Sequence, residues 1–304
     1  MEIEIIKFFQ NMASSLLDSF FWVVTKLGEE TVFLIILTCI YLCYDKFFAV
    51  KYMFYYLISV GVNTVVKAVV ERPRPYNVSN EVKNRLPASN YSFPSGHSQG
   101  YFVQASTGMN EINSKCNKTK FKILLLLGFI FVGLLVMISR MYWGQHYLSD
   151  VIMGMIFGIA IPFVLEYIFS LFPKSFKRKF NTDRVFLAIG VLAGFVAIVL
   201  FVLEFGLSFY SSKLYKFTAI ILAMSFGYFI DCKYIKFNPK QGWIWGIFKF
   251  IITIVVLVGM YYIMVMSISL RGYLYFVVYF ILGLIACVGL PAVFKVLSIK
   301  NNKK

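Results

Sequence analysis

The chain contains few charged residues and almost no histidine. Only 14% of its 304 residues are Asp, Glu, Lys or Arg, and only two are His. Soluble domains average about a quarter charged residues, so this deficit argues against a soluble globular protein. Hydrophobic residues make up 60% of the chain, and they form long apolar stretches at many points. This composition indicates a polytopic membrane protein.

Two further absences narrow the function. The five cysteines lack the spacing of metal ligands, so we expect neither a metal nor another cofactor and interpret them as small buried apolar residues. The first 30 residues show no cleavable signal peptide and mix acidic with aromatic residues, which predicts an interfacial amphipathic segment.

The net charge of +16 suggests nucleic acid, but most Lys and Arg lie in short clusters between apolar runs. Such clusters set orientation in a membrane, so we expect no nucleic-acid partner.

The apolar pattern predicts an all-α fold, a polytopic bundle of transmembrane helices. We predict nine spans, at residues 31–44, 49–70, 98–112, 121–139, 148–172, 185–206, 216–231, 243–267 and 273–296. The first and third are shorter than the ~20 residues that usually cross a bilayer. We divide the chain into the interfacial segment 1–30, a core 31–206, and additional C-terminal transmembrane helices 207–304.

Three short polar strings interrupt the apolar chain, at residues 67–75, 94–97 and 139–150. They contain both histidines of the chain, together with three cations and a carboxylate. Taken singly each string is a weak signal, because a histidine near a membrane surface is usually a satisfied polar residue and a lone arginine usually snorkels. Their occurrence together is the informative feature.

The distribution of positive charge places all three strings on one side. With the N-terminus outside, eighteen Lys and Arg fall in inner loops and eleven in outer segments, and one falls within a span. Inner loops of membrane proteins are the more basic ones. We therefore predict a multi-pass protein of the cell membrane with an outer N-terminus, a cytoplasmic C-terminus and three extracytoplasmic polar strings.

The strings contain what binding of a phosphate ester requires. Lys67, Arg74 and Arg140 supply three positive charges, and arginine binds phosphate oxygens in a bidentate manner. Ser95 and Gly96 lie just before a predicted helix, where backbone N–H groups can point at the same oxygens. Gly96 lets the main chain approach closely, and the Ser95 hydroxyl adds a donor.

The two histidines suit attack and proton transfer. His146 and Asp150 are four residues apart at the predicted head of a helix, so we expect them to share one face. Asp150 can accept the Nδ1 proton of His146, which leaves Nε2 free to attack phosphorus. His97 can protonate the leaving oxygen and then activate water, because imidazole both donates and accepts protons around neutral pH.

Together the strings resemble the three-part motif of the type 2 phosphatidic acid phosphatase superfamily. The matching positions are Lys67, Arg74, Pro75, Pro94, Ser95, Gly96, His97, Ser139, Arg140, His146 and Asp150. The resemblance implies that His146 is the nucleophile, His97 the acid and base, and Asp150 the group that orients the nucleophile. It implies a phosphate cradle formed by Lys67, Arg74, Ser95, Gly96 and Arg140.

The resemblance covers about residues 20–205 and implies a six-helix phosphatase core, with about three further spans beyond it. The predicted nine spans with an outer N-terminus are similar to the layout of glucose-6-phosphatase, in topology only.

These observations predict a metal-independent membrane phosphatase that cleaves a lipid phosphate or diphosphate ester through a phosphohistidine. Polyprenyl diphosphate, phosphatidylglycerophosphate and phosphatidic acid are the leading substrates, and the expected partners are this lipid and the bilayer. Two alternatives stay open: a lipid phosphotransferase on the same scaffold, and a non-catalytic lipid-binding protein or flippase. The sequence does not specify the oligomeric state.

Overall fold

The computed structural model describes residues 1–86, 88, 90–171, 182–203, 210–267 and 274–301. Within these ranges the regular structure is helical and contains no strand, which confirms the predicted all-α class.

The helices before residue 172 are α1 (Glu2–Asn11), α2 (Ser15–Lys26), α3 (Glu30–Cys43), α4 (Lys46–Val70), α5 (Pro75–Val78), α6 (Gly96–Lys115), α7 (Thr119–Tyr142) and α8 (Leu148–Leu171). The later helices are α9 (Thr182–Leu203), α10 (Tyr210–Ile230), α11 (Trp243–Ser267), α12 (Leu274–Leu284) and α13 (Leu290–Asn301). Two π-helical turns, Asp231–Ile235 and Ile285–Gly289, directly follow α10 and α12.

Local sequence explains where α4 ends. The helix stops at Val70, just before two X-Pro steps at Arg72-Pro73 and Arg74-Pro75. Proline removes a backbone donor and disfavours helical geometry at the residue before it, so the helix cannot continue through this segment. Pro75 then begins the short helix α5, at a position where proline is well tolerated. The predicted stop of this helix is confirmed.

Six of the nine predicted spans are helices long and apolar enough to cross a membrane. The protein is therefore a multi-pass membrane protein. Of the other three, α3 has only 14 residues, which is about 21 Å of helix against a hydrocarbon core of about 30 Å. The apolar part of α9, Val185–Val196, is also short. Helix α6 is long enough but polar, and it buries Gln99 and Gln104 in the protein interior.

The chain forms two compact units. The first comprises Met1–Leu34 and Tyr52–Leu171, and the second comprises Ile35–Lys51 and Phe172–Lys304. In the first unit α6 packs against α7 and α8, and in the second α10 packs against α9 and α12. All three polar strings belong to the first unit. The division at residues 30 and 206, and the orientation in the membrane, stay predictions.

The N-terminal helices contribute to the core of the first unit. Helices α1 and α2 both pack against α7. Ile6 of α1 is fully buried in a cluster with Val82, Met137, Tyr147 and Val151, among others. The segment predicted to lie at the membrane interface is thus also an integral part of the unit that contains the polar strings.

Candidate active site

The second and third polar strings meet where α8 lies against the start of α6. The Ser95 backbone N–H donates to the Asp150 carbonyl at 3.0 Å. One turn further along α8, a Cβ on Gly154 would lie only 2.6 Å from the Ser95 carbonyl oxygen. Glycine at this position therefore permits the close approach of helix and loop.

His146 lies in the loop before α8, which corrects the prediction that it stands on the helix with Asp150. Helix α8 begins at Leu148, and Asp150 is in its first turn. There the Asp150 Oδ2 atom accepts the Tyr147 N–H at 2.9 Å, so the carboxylate satisfies a donor at the helix start. The helix consequently begins after the histidine, although the two side chains still face each other.

His146 is buried between a cation and a carboxylate. Its Nε2 atom lies 3.4 Å from Nη1 of Arg74, and its Nδ1 atom lies 3.5 Å from Oδ2 of Asp150. A guanidinium group can only donate, so Nε2 must be the unprotonated acceptor and the proton must reside on Nδ1. Nδ1 makes no hydrogen bond to any residue that the structure describes, so the pairing with Asp150 is a close approach in this state.

Burial keeps His146 neutral. Desolvation is the largest effect that holds the pKa of His146 well below its ordinary value, followed by the positive charges of Arg74, Lys67 and Arg140. His97 contributes a smaller effect in the same direction. A neutral imidazole with a free Nε2 lone pair is the form required of a nucleophile.

Two of the three predicted cations are fixed by backbone carbonyls of the loop between α4 and α6. Lys67 is 8% exposed and donates to the Tyr91 carbonyl at 2.6 Å, and Arg74 is 5% exposed and donates from Nε to the Asn90 carbonyl at 2.8 Å. Arg74 also donates to the carbonyl of Gln145, the residue before His146. The loop therefore holds Arg74 beside the imidazole and also fixes Lys67, whose positive charge contributes to the lowered pKa of His146.

Arg140 is the third cation, and it has an unsatisfied donor. Its side chain is only 3% exposed, and its Nη1 atom donates to Thr25 Oγ1 at 2.6 Å. Its Nε–H is buried and finds no hydrogen-bond partner among the described residues. A buried, incompletely satisfied guanidinium is costly, and an anion with several acceptor oxygens would relieve that cost.

Ser95 and His97 lie at the start of α6. The Ser95 Oγ atom caps the helix by accepting the Ser98 N–H at 3.4 Å, and a hydroxyl that accepts can still donate its own hydrogen. Helix α6 begins at Gly96, and the backbone N–H groups of its first turn have no partner within the helix. His97 is half-buried, and its Nε2 atom lies 4.0 Å from Oε1 of Glu29.

Glu29 is a charged neighbour of His97 that the sequence patterns did not indicate. Burial raises the pKa of Glu29, but the interactions of its carboxylate with His97 and with Lys26 outweigh burial and lower the pKa overall. The Glu29 carboxylate is therefore the charged group that lies beside His97. Glu29 is far from the polar strings in sequence, so no local spacing could have suggested it.

Arg72 is a second residue that the sequence reasoning missed, although it lies inside the first string. Its Nη1 atom donates to Asp150 Oδ1 at 2.8 Å, and its Nη2 atom donates to Glu2 Oε2 at 2.8 Å. The available signal was an arginine only two residues from Arg74 in a sequence rich in prolines.

The part of the chain that the structure describes contains no set of side chains that could hold a metal ion. No three His, Cys, Asp or Glu side chains come together there as metal ligands. The absence of a metal requirement stays a prediction.

Two family models match the chain. One, described as the PAP2 superfamily, matches residues 48–174, and one described as the PAP2 superfamily phosphatase, transmembrane extension, matches residues 215–303. The chain belongs to the PAP2 superfamily. The predicted resemblance is thereby confirmed. The first match includes all three polar strings, and the second lies within the C-terminal helices whose role the sequence left open.

Among curated relatives, the chain is 28% identical over 152 residues to glucose-6-phosphatase catalytic subunit 1 from Bos taurus and from Felis catus. Each alignment covers 43% of this chain and 43% of the relative, so the chain spans under half the length of the curated relatives it matches.

Two solved structures match part of the chain. One is the first transmembrane PAP2 type phosphatidylglycerolphosphate phosphatase from Bacillus subtilis, with 22% identity, a TM-score of 0.48, and coverage of 57% of this chain and 86% of that chain. The other is LpxE from Aquifex aeolicus, with 24% identity, a TM-score of 0.46, and coverage of 54% of this chain and 93% of that chain.

Proposed function

We propose that this protein is an integral membrane phosphatase that hydrolyses a phosphate or diphosphate ester of a membrane lipid through a phosphohistidine. The observation that carries the proposal is the state of His146. It is buried, its Nε2 atom faces Arg74, and its Nδ1 atom faces Asp150. Membership of the PAP2 superfamily supports the same reaction class.

In the first step the phosphoryl group is transferred to His146. The Nε2 lone pair attacks phosphorus, a bond forms between nitrogen and phosphorus, and the bond from phosphorus to the leaving oxygen breaks. Lys67, Arg74 and Arg140 stabilise the negative charge on the phosphoryl oxygens. The leaving oxygen takes a proton from His97, whose protonated form is favoured by Glu29 at 4.0 Å.

In the second step water releases the phosphate. His97, which is now neutral, accepts a proton from the attacking water, whose oxygen bonds to phosphorus as the bond to His146 breaks. Asp150 stabilises the positive charge that the His146 ring carries while it bears the phosphoryl group. Inorganic phosphate leaves, and both imidazoles return to their starting protonation states.

The position of the site favours a lipid substrate. His97 and His146 lie at the ends of helices of a multi-pass membrane protein, next to α7 and α8, which are both apolar enough to cross a bilayer. Such a site can receive an amphiphile sideways from the membrane. The excess of Lys and Arg in the opposite loops supports an extracytoplasmic location.

A phosphate-release assay tests the proposal. Purified protein is incubated with polyprenyl diphosphate, phosphatidylglycerophosphate, phosphatidic acid or glucose 6-phosphate, with and without EDTA. We expect release from at least one lipid, no effect of EDTA, and a loss of about 1,000-fold or more in His146→Ala.

Four results would overturn parts of this account. Activity unchanged in His146→Ala removes the mechanism, and activity abolished by EDTA removes metal independence. Release from glucose 6-phosphate alone removes the lipid assignment. Labelled phosphate that appears on a second lipid instead of as inorganic phosphate identifies a phosphotransferase.

A further inference from the structure

A series of charged contacts connects Asp150 with the N-terminal helix α1. The Asp150 Oδ1 atom accepts from Arg72 Nη1 at 2.8 Å, and Arg72 Nη2 donates to Glu2 Oε2 at 2.8 Å. Glu2 Oε1 in turn accepts both the backbone N–H and the hydroxyl of Ser149, each at 2.8 Å. Ser149 precedes Asp150, so Glu2 holds the aspartate both through Arg72 and through the adjoining backbone.

These contacts fix both oxygens of the aspartate. Oδ1 is held by Arg72, while Oδ2 accepts the Tyr147 N–H at 2.9 Å and lies 3.5 Å from His146 Nδ1. The guanidinium of Arg72 also stacks over the Tyr147 ring, with 3.8 Å between its Cζ atom and the ring centroid. Arg72 therefore determines the rotation of the Asp150 carboxylate. It also contacts Tyr147, whose N–H is the second donor to that carboxylate.

The charges of Asp150, Arg72 and Glu2 compensate one another. Asp150 is completely buried, and a buried carboxylate is stable in its ionised form only when a cation accompanies it. Partial burial raises the pKa of Glu2, but hydrogen bonds from Ser149 and Arg72 outweigh burial and lower it overall. Glu2 is thus an anion that keeps Arg72 in place.

We infer that Arg72 and Glu2 are positioning residues that hold the Asp150 carboxylate ionised and aimed at Nδ1 of His146. The inference rests on the proposed function, and it makes the N-terminal helix α1 part of the catalytic apparatus. Neither residue touches the substrate in this account. Their loss should slow the transfer of the phosphoryl group while leaving its binding nearly unchanged.

The chain offers a matched control for Arg72. Arg85 lies in the same loop between α4 and α6, pairs with Asp18 at 2.8 Å, and has its guanidinium 5.0 Å from the centroid of the Tyr142 ring. It therefore makes the same kinds of contact to α2 and α7, and none of its described contacts involves Asp150. For Glu2, the control is Glu81, which forms an exposed pair with Lys7 of α1 at 2.6 Å.

The experiment compares kcat and KM of Arg72→Gln and Arg85→Gln, using whichever lipid phosphate the wild-type protein hydrolyses. We expect Arg72→Gln to lower kcat about 10- to 100-fold, the range found when the hydrogen-bond partner behind a metal ligand is removed, with KM within about 3-fold. Arg85→Gln should keep kcat within about 3-fold, because it leaves the aspartate untouched. Millimolar guanidinium should partly restore Arg72→Ala and should not affect Arg85→Ala.

Glu2 acts largely through Arg72, so its effect should be smaller and not additive. We expect Glu2→Gln to lower kcat about 3- to 10-fold, Glu81→Gln to leave it unchanged, and the Glu2→Gln/Arg72→Gln double variant to match Arg72→Gln. If the fold-losses in kcat of the two single variants multiplied in the double variant, Glu2 would not act through Arg72, and that part of the inference would be overturned.

Two outcomes separate this inference from the proposed function. Equal kcat in Arg72→Gln and Arg85→Gln, or equal losses with equal falls in melting temperature, would overturn the positioning role while the phosphatase function stands. A wild-type protein that releases phosphate from none of the substrates would overturn both.

Discussion

The two units treat buried charge in different ways. In the second unit, Asp231 is completely buried and receives Lys46 at 2.7 Å, the Tyr41 hydroxyl at 3.0 Å and the Phe237 N–H at 2.9 Å. Lys249 is also completely buried and donates to two backbone carbonyls at 2.8 and 2.7 Å. These charges find their partners within the unit.

The first unit leaves comparable groups incompletely satisfied. The Nε–H of Arg140 and the Nδ1 atom of His146 are buried without hydrogen-bond partners among the described residues. Arg74 lies beside the same imidazole, and the positive charges of Arg74 and Lys67 both lower its pKa. Incomplete satisfaction of buried charge is destabilising, and a bound anion would relieve that cost. The buried charges of the second unit therefore stabilise its fold, whereas the proposed function assigns the buried cations around His146 in the first unit to the binding of an anion.

Arg140→Gln tests this comparison with the largest expected effect. Removal of one fixed phosphate ligand should reduce kcat/KM about 100- to 1,000-fold. The melting temperature in detergent should stay the same or rise, since an incompletely satisfied buried cation has been removed. Scanning fluorimetry and phosphate release on the same sample check both parts. A fall in melting temperature with activity retained would contradict the assignment of Arg140 to the substrate.

Asp231→Asn is the opposite case in the second unit. It leaves the Lys46 ammonium without its anion, which should lower the free energy of unfolding by about 3 to 5 kcal/mol. Activity per folded molecule should be unchanged. Unfolding in mixed micelles measures the first quantity, and the Lys46→Gln/Asp231→Asn double variant should recover part of the loss. If Asp231→Asn unfolds like the wild-type protein, the contrast between the units fails.

The protonation of His146 gives a smaller but direct measure of the same contrast. The chain has only two histidines, so His97→Gln leaves a single imidazole resonance for NMR once any histidine tag is removed. Because the pKa of His146 is lowered, it should remain neutral as the pH falls through about 6.5, the ordinary histidine value. Orthovanadate should raise that pKa, since it would neutralise the nearby cations. An imidazole that titrates near its ordinary value without ligand would contradict the buried nucleophile.

Sequence alone predicted the helical class and the stop of α4, because prolines and apolar runs are local signals. The eight residues of the candidate site also come from local polar strings, and their roles stay predictions. Sequence reasoning also placed His146 on a helix, which is wrong. Asp150 binds the Tyr147 N–H and starts the helix after the histidine, a choice that depends on side-chain geometry.

The residues that sequence reasoning missed are those that act over long separations. Glu29 approaches His97, and Glu2 reaches Arg72, across 68 and 70 positions of the chain. No periodicity or spacing encodes such contacts, since they depend on how segments far apart in the sequence pack together. The three predicted spans that fail the criteria of length and apolarity have a related cause. A helix such as α6 can carry buried glutamines when neighbouring helices supply hydrogen bonds, as Asn63 does for Gln99 at 2.8 Å.

The phosphohistidine itself is the most direct test of the account. An aryl phosphate has a leaving group that needs no protonation, so His97→Gln should still form the intermediate but hydrolyse it slowly. Rapid quenching in base, followed by mass spectrometry of peptides, should locate the phosphoryl group on His146 and find none in the His97→Gln/His146→Ala double variant. The central claim would be contradicted if the wild-type protein turned over the substrate while His97→Gln carried no phosphoryl group on His146. It would also be contradicted if the phosphoryl group were found on another residue.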